Sequence, residues 1–176
     1  MTNPFKTGEF SVSVVIPTHN RLEFLPHALD SVFSQTQRVN EIIVVDEGST
    51  DNTVEILHKR YKEVSFIKQR NQGVSAARNT GIKASKHHWI AFLDSDDQWV
   101  SDKIEKQISY LSYNPNLKAC HTQEKWIRNG NQVQLPAYLN KSNEGLFQRS
   151  LERCVICPSS VILHHSIFQT IGLFDP

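Results

Sequence analysis

The sequence predicts an α/β fold whose core is a mostly parallel, doubly wound sheet. Three observations predict it. Four apolar, β-branched runs recur in the first half: SVSVVIP (11–17), EIIVVD (41–46), VSFIKQ (64–69) and WIAFLD (89–94). Between them apolar residues fall at helical spacing, and strands alternating with helices give parallel sheets. The polar clusters PTHN (17–20), DEGSTD (46–51) and DSDD (94–97) each follow a run directly. Right-handed crossovers put all such strand ends on one rim, where open α/β sheets bind ligands.

The first run is continuous and closes on Pro17, the pattern of a strand buried on both faces. Leu25, Leu29 and Val32 mark the helix after it, with Pro26 in the first turn, where no N–H is needed. After the second buried strand, Asp51 is placed to cap a helix whose inner face is Val54, Leu57 and Tyr61. The third strand leads to GVSAARNTGIKAS (73–85), a helix with Ser75 near its start. The fourth ends at Asp94, and Val100, Ile104, Ile108 and Leu111 mark a further helix. After residue 114 the pattern changes. CHTQEKWIRNGNQVQLP (120–136) reads as an antiparallel hairpin turning at Asn129-Gly130. NEGLFQRSLE (143–152) reads as a short helix, SSVILHH (159–165) as a strand, and SIFQTIG (166–172) as a last helix stopped by Gly172.

Composition narrows the function. With 176 residues the chain supports one sizeable core. Nineteen basic and 18 acidic residues leave a formal charge of +1, which argues against a nucleic-acid binder with a broad basic surface. MTNPFKTGEF lacks a signal-peptide profile, and no apolar run approaches the roughly 18 residues of a membrane helix. The expectation is a cytoplasmic protein; peripheral attachment to the inner face of a membrane stays open. Cys120, Cys154 and Cys157 form no disulfide framework. One CxxC, even with His121, His164 and His165 elsewhere, is a weak zinc signal, so reduced thiols are expected.

The rim chemistry is more specific. No GxGxxG fingerprint and no P-loop follows the first strand, which argues against a dehydrogenase and a P-loop ATPase. What remains is a nucleotide-type site without glycine loops, furnished with carboxylates. Mg2+ and Mn2+ take oxygen ligands and bridge carboxylates to a diphosphate. In extended chain Asp94 and Asp96 point the same way, so one can reach a ribose and the other a metal, while Asp97 points away and caps the next helix. A solvated turn is the alternative for these acids taken alone.

PTHNR (17–21), VVDEGSTD (44–51), NQGVSAARNTG (71–81), FLDSDD (92–97) and PSSVILHHSIFQTIGLFDP (158–176) together resemble family 2 glycosyltransferases of the GT-A fold. The resemblance covers nearly the whole chain, in order. It implies one domain over 1–176, with residues 1–114 holding a nucleotide-sugar and 115–176 forming an incomplete acceptor-side half. It also implies metal-dependent, inverting transfer from a nucleotide-diphospho-sugar, most often a UDP-sugar, to a hydroxyl, with Mn2+ or Mg2+ as cofactor.

Carried over residue by residue, Pro17, Thr18, His19 and Asn20 line the nucleoside pocket, His19 as a packing partner for the base. Asp46 matches the acid that reads a base N–H, with Glu47 and Ser49 beside it. Asn71, Gly73 and Arg78 match the segment near the nucleotide. Asp94, Ser95 and Asp96 match the DxD motif, with Asp96 as the direct metal ligand and Asp94 as its companion. Turn and capping roles for Asp46 and Ser49, and a helix-surface role for Arg78, are the structural alternatives.

Three departures stand out. Glu47 replaces a common aspartate, His164-His165 replace frequent arginines, and no Glu-Asp motif follows GLFDP, so the general base is expected beyond Pro176. The competing expectation is a non-catalytic nucleotide-sugar-binding module or donor-binding fragment. A nucleotidyltransferase is disfavoured because its Gly-rich, Arg-containing opening is missing after the first strand. The acceptor, whether saccharide, lipid-linked or protein, is unspecified, and homo-oligomerisation stays open.

Overall fold

The computed structural model of the protein describes residues 10–139, 141 and 145–176. The first half alternates as its periodicity predicts: β1 (Val12–Thr18), α1 (Leu25–Phe33), β2 (Glu41–Asp46), α2 (Thr53–Arg60), β3 (Ser65–Lys68), α3 (Val74–Ala84), β4 (Trp89–Phe92) and α4 (Lys103–Tyr113). β5 (Ala119–His121), a separate hairpin of β6 (Trp126–Arg128) and β7 (Asn131–Val133), α5 (Leu146–Glu152), β8 (Val161–His164) and α6 (Ser166–Ile171) follow. Of the reading over 143–152, Asn143 and Glu144 lie outside the described residues.

The main sheet runs β3-β2-β1-β4-β8-β5. β3, β2, β1 and β4 are mutually parallel, β8 is antiparallel to β4, and β5 is antiparallel to β8. Strand order therefore reverses between β1 and β4. In open α/β sheets that crevice is where a ligand is held.

Alternation along the strands explains the layers. Val12, Val14 and Ile16 of β1 join Ile42, Val44 and Ala91 in one cluster with Leu25 and Leu29 of α1, Leu57 of α2, and Ile104 and Ile108 of α4. The opposite face packs Val15, Ile90 and Phe92 against Ile82 of α3, with Phe168 and Phe174 beside them. Ile43 and Val45 meet Ala77 there. Successive side chains on a strand face opposite ways, so continuous apolar runs serve both layers. α3 lies so close to β1 that a Cβ at Gly81 would overlap the Val15 methyl groups.

The expected turn at Asn129-Gly130 is present, with both residues at positive φ, and Gly172 at φ 90 ends α6. Pro26 sits in the first turn of α1. Asp51 holds the start of α2 by accepting from Thr53 N–H at 3.0 Å, one residue before the left-handed Asn52 that precedes the helix. Among the described residues no helix is long and apolar enough to cross a membrane.

The segment after β4 departs from expectation. β4 ends at Phe92, and residues 94–97 form a turn closed by Asp97 N–H donating to Asp94 O at 3.0 Å, not an extended strand end. Asp97 does not cap α4; Asp102 stands at that position, and Val100 lies outside the helix and exposed. The cause is Trp99, which is buried, with its indole N–H donating to Ser159 O at 2.8 Å and its backbone N–H to Ser31 Oγ at 3.1 Å. The next residues are caught by the end of α1: Gln35 Nε2 donates to Val100 O and Thr36 N–H to Ser101 O, both at 2.8 Å. The chain cannot begin a helix until those anchors are passed.

Candidate functional site

An open cleft of about 390 Å3 lies over the C-terminal ends of β1, β2 and β4, at the point of strand-order reversal. Pro17, Thr18, His19, Glu47, Asn71, Gly73, Arg78, Asp94, Ser95 and Asp96, all expected from the sequence, line it. Arg21 and Val74 line it as well and were not anticipated.

The remaining expected residues build the wall behind. Asp46 is buried and accepts from Ser49 N–H at 3.2 Å and from the Ser49 hydroxyl. Ser49 Oγ accepts from Asn20 N–H at 2.8 Å, and Asn20 Oδ1 accepts from Thr50 N–H at 2.8 Å. Asn20 adopts φ 51, a conformation asparagine tolerates better than most residues. Asp51 completes the staple by accepting from Leu22 N–H at 3.0 Å. The loops after β1 and β2 are thus one hydrogen-bonded unit.

His19 bridges that unit to the cleft. Its Nδ1 lies 2.9 Å from Glu47 O. A carbonyl only accepts, so Nδ1 carries the proton and Nε2 accepts from Asn20 Nδ2 at 3.3 Å. Glu47 is 3% exposed, with one carboxylate oxygen accepting from the Gln69 amide and the other from Gln72 N–H at 2.8 Å. Gln69 Oε1 in turn accepts from Thr80 Oγ1 at 2.6 Å. The added methylene of glutamate reaches the loop before α3 and ties it down. Gly73 opens that helix at φ 90, which favours glycine, while Asn71 Oδ1 accepts from its N–H at 3.2 Å.

The charged groups pair across the cleft. Arg78 Nη2 donates to Asp94 Oδ1 at 2.7 Å, with side-chain exposures of 11% and 30%. Arg78 is therefore a wall residue, not a surface charge. Its guanidinium also lies 5.9 Å from the centre of the Phe174 ring. Arg21 Nε stands 4.0 Å from Asp96 Oδ2 at the cleft mouth, where both side chains are about half exposed. Such an open pair is weak. Among the described residues, Thr18 Oγ1 and Arg78 Nε are buried polar atoms without a partner, and both belong to cleft residues. Orphans of that kind call for a ligand or water.

Asp97 turns away from this set. Its Oδ2 accepts from Ser159 Oγ at 2.6 Å and faces Cys157 Sγ at 3.8 Å. Burial pushes its carboxyl above the ordinary range, Ser159 opposes that, and the neighbouring charges of Asp94 and Asp96 add to it. Asp94, Asp97 and Cys157 bring ligand atoms within 4.8 Å of one another. For a hard divalent cation, the all-oxygen pair of Asp94 and Asp96 is the better donor set. Asp94 keeps Oδ2 clear of Arg78, and among the described residues Asp96 meets only the distant Arg21 guanidinium.

Sequence reasoning missed Arg21 and Ser159. Arg21 ends PTHNR and Ser159 lies in PSSVILHH, so the signal was their place beside a strand, not their residue type.

Residues 13–172 match the model of glycosyl transferase family 2. A Rickettsia felis glycosyltransferase is 34% identical over 160 residues, covering 90% of this chain and 26% of that protein. Escherichia coli WfaP, named a UDP-Glc:alpha-D-GlcNAc-diphosphoundecaprenol beta-1,3-glucosyltransferase, is 40% identical over 103 residues, 57% of this chain and 41% of WfaP. Among solved structures, Staphylococcus aureus TarS 1–349 in complex with UDP-GlcNAc superposes with a TM-score of 0.73 at 20% identity, covering 94% of this chain and 48% of that one. The mannosyltransferase PcManGT from Pyrobaculum calidifontis, with GDP-Man and Mn2+, gives 0.66 at 17% identity, covering 93% and 47%. The likeness to TarS and PcManGT identifies the GT-A fold. The chain spans about a quarter of the length of the first curated relatives it matches.

Proposed function

Because the chain belongs to glycosyl transferase family 2, we propose that it forms the donor-binding part of an inverting enzyme that transfers a sugar from a UDP-sugar to an acceptor hydroxyl. The observation that carries this reading is the cleft at the β1/β4 reversal, where two arginines and the acids Asp94 and Asp96 face one another. Three carboxylates and two guanidiniums suit a diphosphate bound together with a divalent cation.

The roles follow from the contacts. Asp96, open at the mouth, and the clear oxygen of Asp94 would hold Mn2+ or Mg2+. The cation supplies charge neutralisation for the departing diphosphate. Arg78 and Arg21 stand where phosphate oxygens need donors, and the orphaned Arg78 Nε and Thr18 hydroxyl gain partners when the donor binds. His19, fixed as the Nδ1–H tautomer, offers a flat face for the base. Asn71, Gly73 and Ser95 line the same cleft and would border the bound donor. Asp46, with Asn20 and Ser49, holds the base-side wall, and its Oδ2, which only shares the Ser49 N–H at 3.3 Å, keeps acceptor capacity for a base N–H.

Inversion also needs a base for the acceptor proton. Glu47 is committed to Gln69 and Gln72 and Asp97 to Ser159, while Asp94 and Asp96 are assigned to the cation. The base is therefore assigned to none of these, which favours a second reading as a donor-binding unit that depends on residues elsewhere to complete catalysis. Calorimetric titration with a panel of uridine, guanosine and thymidine diphospho-sugars, with manganese, tests the proposal. Preferential binding of uridine donors is expected, and failure of every nucleotide to bind sinks it.

A further inference from the structure

The turn that carries the cleft acids is held by one hydroxyl from the second half of the chain. Ser159 lies in a 3-10 turn (Pro158–Ser160) leading into β8 and is 8% exposed. Its Oγ accepts from Asp94 N–H at 3.0 Å and gives its single proton to Asp97 Oδ2 at 2.6 Å. Asp97 N–H returns to Asp94 O at 3.0 Å. Asp94 and Asp97 are thereby closed into a ring through Ser159, with Ser95 and Asp96 as its loop. The carbonyl of Ser159 accepts from the Trp99 indole, so the clamp is anchored in the core.

That ring sets the directions of the acids. Asp94 turns inward to Arg78, Asp97 turns back to Ser159, and Asp96 is left at the cleft mouth near Arg21. We propose that Ser159, acting through the Asp94 backbone and the Asp97 carboxylate, is a positioning residue for the cation-and-diphosphate end of the cleft. This rests on the donor-binding reading above. Groups that hold and orient metal ligands change affinity without touching the metal. The third acid of DSDD belongs, on this view, to the clamp and not to the ligand set.

The alternative is a purely structural Ser159. Removing its hydroxyl takes the acceptor from the Asp94 N–H and strips Asp97 of its strong donor, with the weak Cys157 thiol remaining among the described residues. The test is calorimetry of UDP binding with manganese and in EDTA, beside thermal melting, for wild type, Ser159→Ala, Asp97→Ala, Asp97→Asn and the Ser159→Ala/Asp97→Ala double variant. Both single alanine variants should lose manganese-dependent affinity by roughly 10–100-fold, the range for groups that support metal ligands. Their affinity in EDTA should change far less, and the double variant should lose little more than either single one. Asp97→Asn, whose amide oxygen still accepts, should keep most of the affinity. Asp97 is half-buried, so its variants report even if Ser159→Ala fails to fold. A lowered melting temperature with wild-type manganese-dependent affinity, or additive losses, overturns the clamp alone. Absence of UDP binding by the wild type overturns the donor-binding reading and the clamp with it.

Discussion

Arg78 Nη2 donates to Asp94 Oδ1 across 2.7 Å, joining the second turn of α3 to the turn after β4. The Arg78 side chain is 11% exposed, so this pair is shielded more than a surface salt bridge. It aims a fixed positive charge into the cleft while leaving Asp94 one clear oxygen. Arg78→Ala should lower UDP affinity by about tenfold, the loss of one charge-assisted hydrogen bond of ~1.5–3 kcal/mol being enough. Arg78→Lys should recover only part of it, because an ammonium lacks the planar fork. Titration of both variants with UDP checks this, and equal affinity in all three proteins contradicts it.

Gly81 tests the packing that positions Arg78. A Cβ there would overlap Val15 Cγ1 and Cγ2 in the core between α3 and β1. Overpacking of this kind costs about 1–3 kcal/mol, against which helix propensity returns less than ~1 kcal/mol. Gly81→Ala should therefore unfold at lower denaturant concentration than wild type. An unchanged midpoint would mean that the helix shifts freely on the sheet.

Lys103 gives the fold a pH dependence. Its ammonium is buried, lies 4.2 Å from the centre of the Trp99 ring and donates to Gln107 Oε1 at 2.7 Å. Burial lowers it to about 7, with the nearby Cys120 and Cys157 thiols opposing the shift. An unfolded lysine titrates near ~10.4. Between these values the unfolded chain binds the extra proton, so stability rises with pH across that window, and below it the cost of the buried charge is present in full. Wild type should gain melting temperature relative to Lys103→Met from about pH 7 to about pH 9. Parallel curves for the two proteins would rule out Lys103 as the cause.

The parallel half of the sheet was legible because β1, β2 and β4 are buried on both faces. A short, nearly unbroken apolar run such as residues 12–16 suits a strand enclosed between two layers. The rim clusters were legible for the same reason: PTHN, DEGS and DSDD follow strands, and topology alone brings them together. The turn at 94–97 was not legible, because what bends it is Ser159, 65 residues from Asp94. Likewise the late start of α4 depends on Trp99, Val100 and Ser101 finding partners in Ser31, Gln35 and Thr36, which no local periodicity records. Cys120 and His121, which local pattern puts in the hairpin over 120–136, instead belong to β5 and pair with β8, because three partly exposed residues at the sheet edge carry too little pattern to separate them from the hairpin.

Asp96 offers the most direct measurement. Its side chain is 53% exposed and, among the described residues, has only the open contact with Arg21, so Asp96→Ala should alter stability by less than about 0.5 kcal/mol. Calorimetric titration of wild type and Asp96→Ala with UDP, each with manganese and in EDTA, separates binding from folding. The account predicts that manganese strengthens UDP binding to wild type and leaves Asp96→Ala unaffected. Equal strengthening by manganese in both proteins, or none in either, would contradict it.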